Sequence, residues 1–260
     1  MRRWLAAAVL LAAGSGSLRA QGAQPAQPSQ TGQQDYERPV SWKQLIPNIL
    51  SDQRDIWSFP STLAQGHNWA PTVGIVGTTA ALLQLDPYAA RYFHTTSTYS
   101  GFNNIFTGTV TEWGTAIVPA SLYAVGLIRK DTKMQNTMLL AGEAVVDAEI
   151  LTTVFKDLDR RARPSTFGPH SNYWDSWFDG PGGSIRGSGS FPSGHAIAAF
   201  SVATVIARRY RTHRWVPYVA YGLAATVGFS RLTLSAHFVS DVFAGGAFGY
   251  VISRYVVLRQ

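Results

Sequence analysis

The 260-residue sequence contains no cysteine. This absence excludes a thiolate zinc site, an iron–sulfur cluster, a cysteine nucleophile and a disulfide framework. Charged side chains are also scarce, because they make up 14% of the residues, whereas a soluble domain has about 25%. The apolar content of 46% is nevertheless too high for a disordered chain. The composition therefore predicts a folded chain whose helices are buried or face lipid.

Long uncharged runs are missing as well. The stretches Trp113–Ile128 and Trp215–Ser230 each contain 16 residues, whereas a membrane-spanning helix needs about 20. Other apolar segments are interrupted by Glu, Asp or Arg, which are costly in lipid. The sequence therefore favours a periplasmic domain with a buried bundle core, and a membrane-embedded bundle is the alternative.

The N-terminus has the pattern of a secretory signal peptide. Arg2 and Arg3 precede an apolar run from Trp4 to Ala13 and then small residues. We predict a signal peptide over residues 1–22, with an uncleaved membrane anchor as the alternative, and hence an exported protein that is periplasmic or associated with an envelope membrane. Without the three arginines of this leader, the net charge of +7 becomes +4. That mild excess suits an anionic substrate or a membrane surface and not nucleic acid.

Three further segments are predicted after the leader. Residues 23–40 are rich in Gln and Pro and are predicted to be a disordered spacer. Residues 41–66 form an amphipathic extension that is predicted to cap the main core, with a membrane-surface helix as the alternative. Residues 67–260 form the main domain.

The main domain is predicted to be an all-α bundle of about six core helices. No segment alternates apolar and polar residues long enough to indicate a strand. The segment from Tyr92 to Thr111 is expected to be irregular, because its Gly and Asn residues interrupt a helical pattern. The predicted helices lie at about 70–85, 113–129, 134–158, 195–211, 215–230 and 237–258.

Three short stretches contain residues suited to phosphate chemistry. In the last stretch, Ser230-Arg231 is followed by His237 and Asp241. On a helix, this spacing of four would let the carboxylate accept the Nδ1 proton and leave Nε2 free as a nucleophile or metal ligand. A local structural hydrogen bond is the alternative interpretation of the pair.

The other two stretches supply hydrogen-bond donors and positive charge. Pro192-Ser193-Gly194-His195 is predicted to begin a helix, where free N–H groups form an anion site. A Ser N-cap with an incidental surface histidine is the alternative. Lys156 and Arg163 are predicted to lie two turns apart on one helix face, with Pro164 ending the helix. The residues between them, Arg160 and Arg161, are predicted to be a solvated basic helix end.

Together, in this order, the stretches resemble the signature of the type 2 phosphatidic acid phosphatase (PAP2) and vanadium haloperoxidase superfamily. That signature reads K-x6-RP, PSGH and SR-x5-H-x3-D, and every specified position is present between residues 156 and 241. The resemblance implies a PAP2-like phosphatase domain over residues 67–260, with the active site at one end of a helical bundle. It also implies that the reaction proceeds through a phosphohistidine.

The resemblance implies a role for each residue of the signature. His237 would be the nucleophile, Asp241 would orient it, and His195 would act as general acid and then as base. Phosphate oxygens would be bound by five residues: Lys156, Arg163, Ser193, Gly194 and Arg231. Because these groups supply the electrostatic stabilisation of a metal ion, no metal and no cofactor are predicted.

The expected activity is metal-independent hydrolysis of a phosphomonoester or lipid (pyro)phosphate outside the cytoplasm. The expected partners are a phosphorylated lipid or a small phosphate ester, and membrane association is a further expectation. The alternatives are a haloperoxidase, in which vanadate would be the cofactor and not an inhibitor, and a non-enzymatic envelope protein on an inactive scaffold. The aromatic segment 165–191 is predicted to run beside the site, either as a lid or leaving-group pocket or as simple packing.

Overall fold

The computed structural model describes residues 38–178 and 189–259. Within these residues the chain forms nine α-helices and no β-strand, so the predicted all-α class is confirmed. The predicted signal peptide and most of the predicted spacer lie outside the described residues. All of the described residues belong to one compact unit.

Most of the helices follow one another with short connections, whereas residues 160–193 separate α6 from α7. Their bounds are α1 Leu45–Ala64, α2 Trp69–Leu83, α3 Asp86–Thr95, α4 Ser100–Ile105, α5 Gly108–Arg129, α6 Thr132–Asp159, α7 Gly194–Arg209, α8 Val216–Thr233 and α9 Val239–Val251. A π-helical turn, Ile252–Val257, continues α9, and two short 3-10 turns, Pro164–Thr166 and Tyr173–Ser176, lie between α6 and α7.

The six predicted core helices correspond to α2 and to α5 through α9. The prediction of an irregular segment at 92–111 was wrong, because this segment contains the C-terminal end of α3 and the whole of α4. These two helices are short, and their aromatic side chains pack on α8 through Phe93, Tyr99 and Phe102, which surround Phe229. Tertiary packing thus stabilises two helices that are too short to be stable in isolation.

Helix α7 occupies the centre of the bundle and packs against α5, α6, α8 and α9. Small side chains let it approach its neighbours closely, and its contact with α9 is made almost backbone to backbone. A Cβ atom added at Gly245 of α9 would lie 2.5 Å from the carbonyl oxygen of Ser193. The main buried cluster comes from α6, α7 and the C-terminal turn: Leu140, Ala141, Ala144, Ala148, Ile197, Val205, Ile252 and Val257.

This close contact leads to a prediction about stability. Gly245→Ala is expected to lower the free energy of unfolding by about 1–3 kcal/mol, because the new methyl group must push α7 and α9 apart. It should also lower activity, since Ser193 and Gly194 would move relative to His237. Chemical denaturation of the purified variant measures the first effect.

The matched control is Gly222→Ala in α8, where an added Cβ meets nothing within 4 Å. Alanine is favoured over glycine in a helix by about 1 kcal/mol, so this variant should be as stable as the unaltered protein or more stable. Equal stability of the Gly245→Ala and Gly222→Ala variants would show that the α7–α9 contact is not tight.

The N-terminal helix α1 packs on α6 and on the C-terminal turn. Polar side chains join α1 to α6: Asn48 donates to Glu143 at 2.8 Å, and Gln53 donates to Asp147 at 2.9 Å. Burial is the main reason that the pKa of Asp147 rises to about 7. The predicted amphipathic extension is therefore a helix that covers part of the bundle.

Several helices expose large apolar side chains. No residue of α2 is buried, and α5 and α8 also have exposed apolar faces. The exposed side chains on these three helices include Trp69, Val73, Val76, Trp113, Ile117, Val118, Leu127, Ile128, Tyr218, Val219 and Leu223. Nevertheless, among the described residues no helix combines the length and the hydropathy needed to cross a bilayer.

Candidate active site

His237 lies in a buried position just before α9, and only 3% of it is exposed. Its Nδ1 atom is 2.7 Å from the carbonyl oxygen of Ser190 and 3.7 Å from Oδ2 of Asp241. Because a carbonyl oxygen can only accept a hydrogen bond, Nδ1 carries the proton and Nε2 has a free lone pair. The tautomer is that of a nucleophilic imidazole, but the shortest bond that fixes it goes to Ser190 and not to Asp241.

Asp241 is fully buried in the first turn of α9. Its Oδ2 atom accepts from the Ser190 hydroxyl at 2.6 Å and from the Phe238 N–H at 2.8 Å, and its Oδ1 atom accepts from Arg161 at 2.6 Å. Burial alone would raise the pKa of this carboxyl group, but the arginine and the other donors outweigh it, so the pKa lies below its usual value. Asp241 is thus held as a carboxylate beside His237.

The sequence prediction put His237 and Asp241 on one helix, and this was wrong for His237. Helix α9 begins at Val239, so His237 lies in the turn that precedes it. The backbone N–H of His237 donates to the carbonyl oxygen of Arg231 at 3.3 Å. The imidazole is therefore anchored between the end of α8 and the start of α9.

The PSGH stretch begins α7, as predicted. Ser193 is the N-cap residue, and its hydroxyl accepts from the N–H of Ala196 at 3.5 Å. A Cβ atom added at Gly194 would lie 3.3 Å from Nζ of Lys156 and 3.3 Å from Oε1 of Glu149. The lysine ammonium group therefore lies beside the N-terminus of α7.

His195 lies in the first turn of α7, and its Nε2 atom is 3.3 Å from the carbonyl oxygen of Gly108. The same glycine is close to Arg231, because a Cβ atom at position 108 would lie 3.7 Å from Nη1 of that residue. Burial, and then repulsion from Arg231, lowers the pKa of His195 to about 4. The imidazole is consequently neutral near pH 7 in the free protein.

Arg231 is almost fully buried near the end of α8. Its guanidinium group donates to Ser230 at 2.8 Å and to the carbonyl oxygen of Phe106 at 3.1 Å. Burial, and then repulsion from Arg163, lowers the pKa of Arg231 to about 10. The side chain is therefore positioned by backbone and hydroxyl acceptors, beside a second cation.

Lys156 and Arg163 do not share a helix face, contrary to the prediction. Helix α6 ends at Asp159, Arg160 adopts a left-handed conformation with φ 43°, and Arg163 is extended. Both cations still interact electrostatically with Asp241. Burial lowers the pKa of each, and Asp241 opposes this effect for both; for Lys156, Glu149 also opposes it and Arg163 adds to it. The chain turns at Arg160 and brings Arg163 back towards Asp241.

The prediction that Arg161 is a solvated helix end was wrong. Only 2% of Arg161 is exposed, and its guanidinium group joins Asp86 at 2.7 Å to Asp241 at 2.6 Å. Reasoning from sequence also missed Asp86 and Ser190. Asp86 is separated from Asp241 by 155 positions, and Ser190 stands just before the PSGH stretch, so neither had a spacing signal.

The described parts of the aromatic segment, residues 165–178 and 189–191, have side chains that contact the site. Ser190 contacts both His237 and Asp241, and the ring of Trp177 lies 4.4 Å from the guanidinium carbon of Arg161. Tyr173 is buried and packs on Phe238. These aromatic side chains thus pack against Arg161 and Phe238. The predictions for residues 179–188 lie outside the described residues.

Two histidines, three cations and a helix N-terminus thus face one region at one end of the bundle, with one imidazole held as a potential nucleophile. Such an arrangement is suited to binding a tetrahedral oxyanion and to attack on its central atom. Among residues 38–178 and 189–259, no group of three or more His, Asp or Glu side chains has the arrangement of a metal site. Fold and site together define a helical-bundle protein with a buried site that combines histidines, cations and a helix N-terminus.

Residues 137–260 match the family model of the PAP2 superfamily. This segment contains all three stretches of the signature, and the resemblance is thereby confirmed.

Curated relatives match parts of the chain. A lipid A 4'-phosphatase from Porphyromonas gingivalis is 23% identical over 149 residues, which are 56% of this chain and 60% of that protein. A lipid A 1-phosphatase from the same organism is 35% identical over 66 residues, 25% of this chain and 15% of that protein. A lipid A 1-phosphatase from Rhizobium etli is 34% identical over 108 residues, 40% of this chain and 42% of that protein. The chain therefore spans less than two thirds of each of these relatives.

Among solved structures, the crystal structure of a transmembrane PAP2-type phosphatidylglycerolphosphate phosphatase from Bacillus subtilis is similar to this chain with a TM-score of 0.39. The two are 21% identical, and the alignment covers 82% of this chain and 92% of that chain.

Proposed function

We propose that this chain is a metal-independent phosphatase that hydrolyses a phosphorylated lipid through a phosphohistidine, outside the cytoplasm. The observation that carries the proposal is the neutral His237 imidazole, whose Nδ1–H is bound to Ser190 and whose Nε2 is free. The match to the PAP2 superfamily supports the reaction class. The names of the curated relatives make a lipid A phosphate the first substrate to test.

The first half of the reaction forms the phosphoenzyme. Nε2 of His237 donates its lone pair to phosphorus, and the bond between phosphorus and the leaving oxygen breaks. The leaving oxygen keeps the bonding electrons and takes a proton from His195. The new positive charge on the His237 ring is stabilised by the nearby Asp241 carboxylate and by the Ser190 carbonyl oxygen.

The second half releases phosphate. His195, now neutral, removes a proton from a water molecule while the water oxygen attacks phosphorus. The phosphorus–nitrogen bond breaks, and its electron pair returns to Nε2 of His237. The three equatorial oxygens are bound throughout by Lys156, Arg163 and Arg231 and by the N–H groups at the start of α7.

Protonation of His195 accompanies substrate binding. The pKa of His195 is about 4 in the free protein because of burial and Arg231. A bound phosphate places negative charge in the same region and favours the imidazolium form. The general acid is therefore formed in the complex with substrate and not before it.

The exposed apolar faces of α2, α5 and α8 support a lipid substrate. Contiguous apolar surface on a folded chain marks an interaction site, and tryptophans such as Trp69, Trp113 and Trp215 are suited to the boundary between lipid and water. We propose that these faces contact the envelope membrane that holds the substrate.

Chelation and vanadate test the proposed chemistry. Phosphate release is expected to be unchanged by EDTA, because protein cations and N–H groups bind the phosphate oxygens. Orthovanadate is expected to inhibit, because it adopts the trigonal-bipyramidal geometry of the transferring phosphoryl group. Phosphate release is measured with lipid A, phosphatidate, a polyprenyl pyrophosphate and a soluble monoester as substrates.

Complete loss of activity in EDTA, restored by a divalent ion, would contradict the proposed mechanism. Halide oxidation with vanadate and peroxide, in place of inhibition, would indicate the haloperoxidase alternative. A preference for the soluble monoester over every lipid would contradict the substrate class but not the chemistry.

A further inference from the structure

Arg161 lies within the K-x6-RP stretch but is not one of its specified positions, yet it is among the most completely buried charged groups of the described chain. All three guanidinium nitrogens are used in hydrogen bonds. Nη1 donates to Asp241 and Ser240 at 2.6 and 2.8 Å, Nη2 donates to Asp86 at 2.7 Å, and Nε donates to Ser176 at 3.2 Å. The planar group also lies against Phe238, 4.0 Å from the ring centroid.

The backbone of Arg161 contacts the same neighbourhood. Its carbonyl oxygen accepts from the N–H of Ser190 at 2.7 Å, and the carbonyl oxygen of Ser190 accepts from Nδ1 of His237. The side chain of Arg161 holds Asp241, whose Oδ2 atom lies 3.7 Å from the same Nδ1 atom. One residue therefore fixes both groups that face the protonated nitrogen of the nucleophile.

Asp86 is the second anchor of this arrangement. It lies at the start of α3 and accepts from the Ser240 N–H at 3.0 Å and from the Ser240 hydroxyl at 2.5 Å, in addition to Arg161. Desolvation raises the pKa of Asp86, although Arg161 opposes this effect. Its contacts fix the first turn of α9, which carries Asp241, to α3.

We propose that Arg161 is a positioning residue for the proposed phosphatase reaction. It sets the location and the charge of Asp241 and thereby the reactivity of His237. The inference rests on the proposed function for its kinetic part. Arg161 does not bind the phosphate, because its nitrogens are engaged by Asp86, Asp241 and serine hydroxyls. Arginine is required because a planar, multi-donor group can join two carboxylates, whereas a lysine ammonium group acts as a point charge.

The charged groups around Asp241 fix the expected direction of the pH effect. Arg161 and His237 favour the carboxylate, and Lys156 and Arg163 also interact with it, as does Asp159 at the end of α6. An opposite charge at hydrogen-bond distance lowers a carboxyl pKa by about 1–3 units. Without Arg161, protonation of Asp241 and of His237 would each occur at higher pH. The acidic limb of the pH–activity profile would therefore shift to higher pH.

The test compares Arg161→Gln and Arg161→Lys with Arg160→Gln, the neighbouring arginine that lies outside this network. Arg161→Gln is expected to lower kcat by about 10- to 100-fold through misplacement of the nucleophile, with KM little changed. The acidic limb of its pH profile of kcat should shift to higher pH by at least about 1 pH unit. Arg161→Lys keeps the charge but cannot join both carboxylates, so its profile should stay near that of the unaltered protein while kcat is intermediate.

Because Arg161→Gln leaves two buried carboxylates without their partner, the double variant Asp86→Asn/Arg161→Gln keeps the test decisive if the single variant does not fold. Only one buried carboxylate then lacks its cation, and the same shift is expected. Folded variants that keep the kcat profile of the unaltered protein would overturn the proposal. A loss of activity that merely follows the unfolded fraction, with no shift of the profile, would also overturn it.

A second measurement separates this proposal from the proposed function. Nitrogen-15 chemical shifts of the His237 ring report its tautomer and pKa without turnover. We expect the pKa of His237 to rise in Arg161→Gln and not in Arg160→Gln. If the unaltered chain releases no phosphate from any substrate, the proposed function fails, whereas an unchanged His237 titration in Arg161→Gln overturns the role of Arg161.

Discussion

Replacing His237 by alanine is expected to reduce phosphate release by about 10⁴-fold or more, because it removes the nucleophile of the proposed reaction. The His237 imidazole is buried, its Nδ1 proton is bound to the Ser190 carbonyl oxygen, and Nε2 is left free. Burial lowers the pKa of His237, which keeps the ring neutral and nucleophilic. Rapid acid quenching after addition of labelled substrate should trap a phosphoenzyme in the unaltered protein and none in His237→Ala.

His213→Ala is the matched control for this experiment. His213 is exposed in the turn between α7 and α8, at the opposite end of α7 from His195. This variant should form the phosphoenzyme at the normal rate. Phosphate release by His237→Ala at a rate close to that of His213→Ala would disprove the covalent mechanism.

Replacing His195 by alanine is expected to have an effect that depends on the leaving group. With an alkyl phosphate, loss of the general acid should slow formation of the phosphoenzyme by about 10²–10⁴-fold. With p-nitrophenyl phosphate, the departing phenolate needs little protonation, so the same step should be slowed much less. His195 lies in the first turn of α7 with Nε2 bound to Gly108, and a bound phosphate would supply the charge that protonates it.

The step must be isolated, because the proposed dephosphorylation also uses His195 as a base. The pre-steady-state burst of p-nitrophenolate, compared with the single-turnover rate for the alkyl ester, reports the first step alone. An equal decrease for both substrates would show that His195 binds phosphate and does not protonate the leaving group.

The fold could be predicted in large part because the helices are long and apolar. Helices α5 through α9 were found from periodicity and from the absence of strand-like alternation, and Ser193 was identified as an N-cap from its position before a helical run. Helices α3 and α4 were missed. Their residues pack as aromatic neighbours of Phe229, and such tertiary contacts cannot be read from a short local sequence.

The candidate site was predicted where residue spacing carries information and missed where it does not. The signature residues are brought to one region of the bundle, although His237 precedes α9 and Arg163 follows the end of α6. Arg161 was misjudged because a run of arginines at a helix end usually faces solvent. Its burial depends on Asp86, which is far away in sequence and has no motif of its own.

The glycines that let α7 and α9 meet backbone to backbone also affect the reorganisation energy of the proposed reaction. Gly245 lies against the Ser193 carbonyl oxygen, and a Cβ atom at Gly249 would collide with the Ile197 carbonyl oxygen. Helices at this separation cannot slide past each other without breaking close contacts. His195 at the start of α7 and Asp241 at the start of α9 are therefore held at a fixed spacing. Because Asp241 lies beside His237, the proposed acid and the proposed nucleophile are thus aligned when the chain folds, and their alignment need not be re-established in each catalytic cycle.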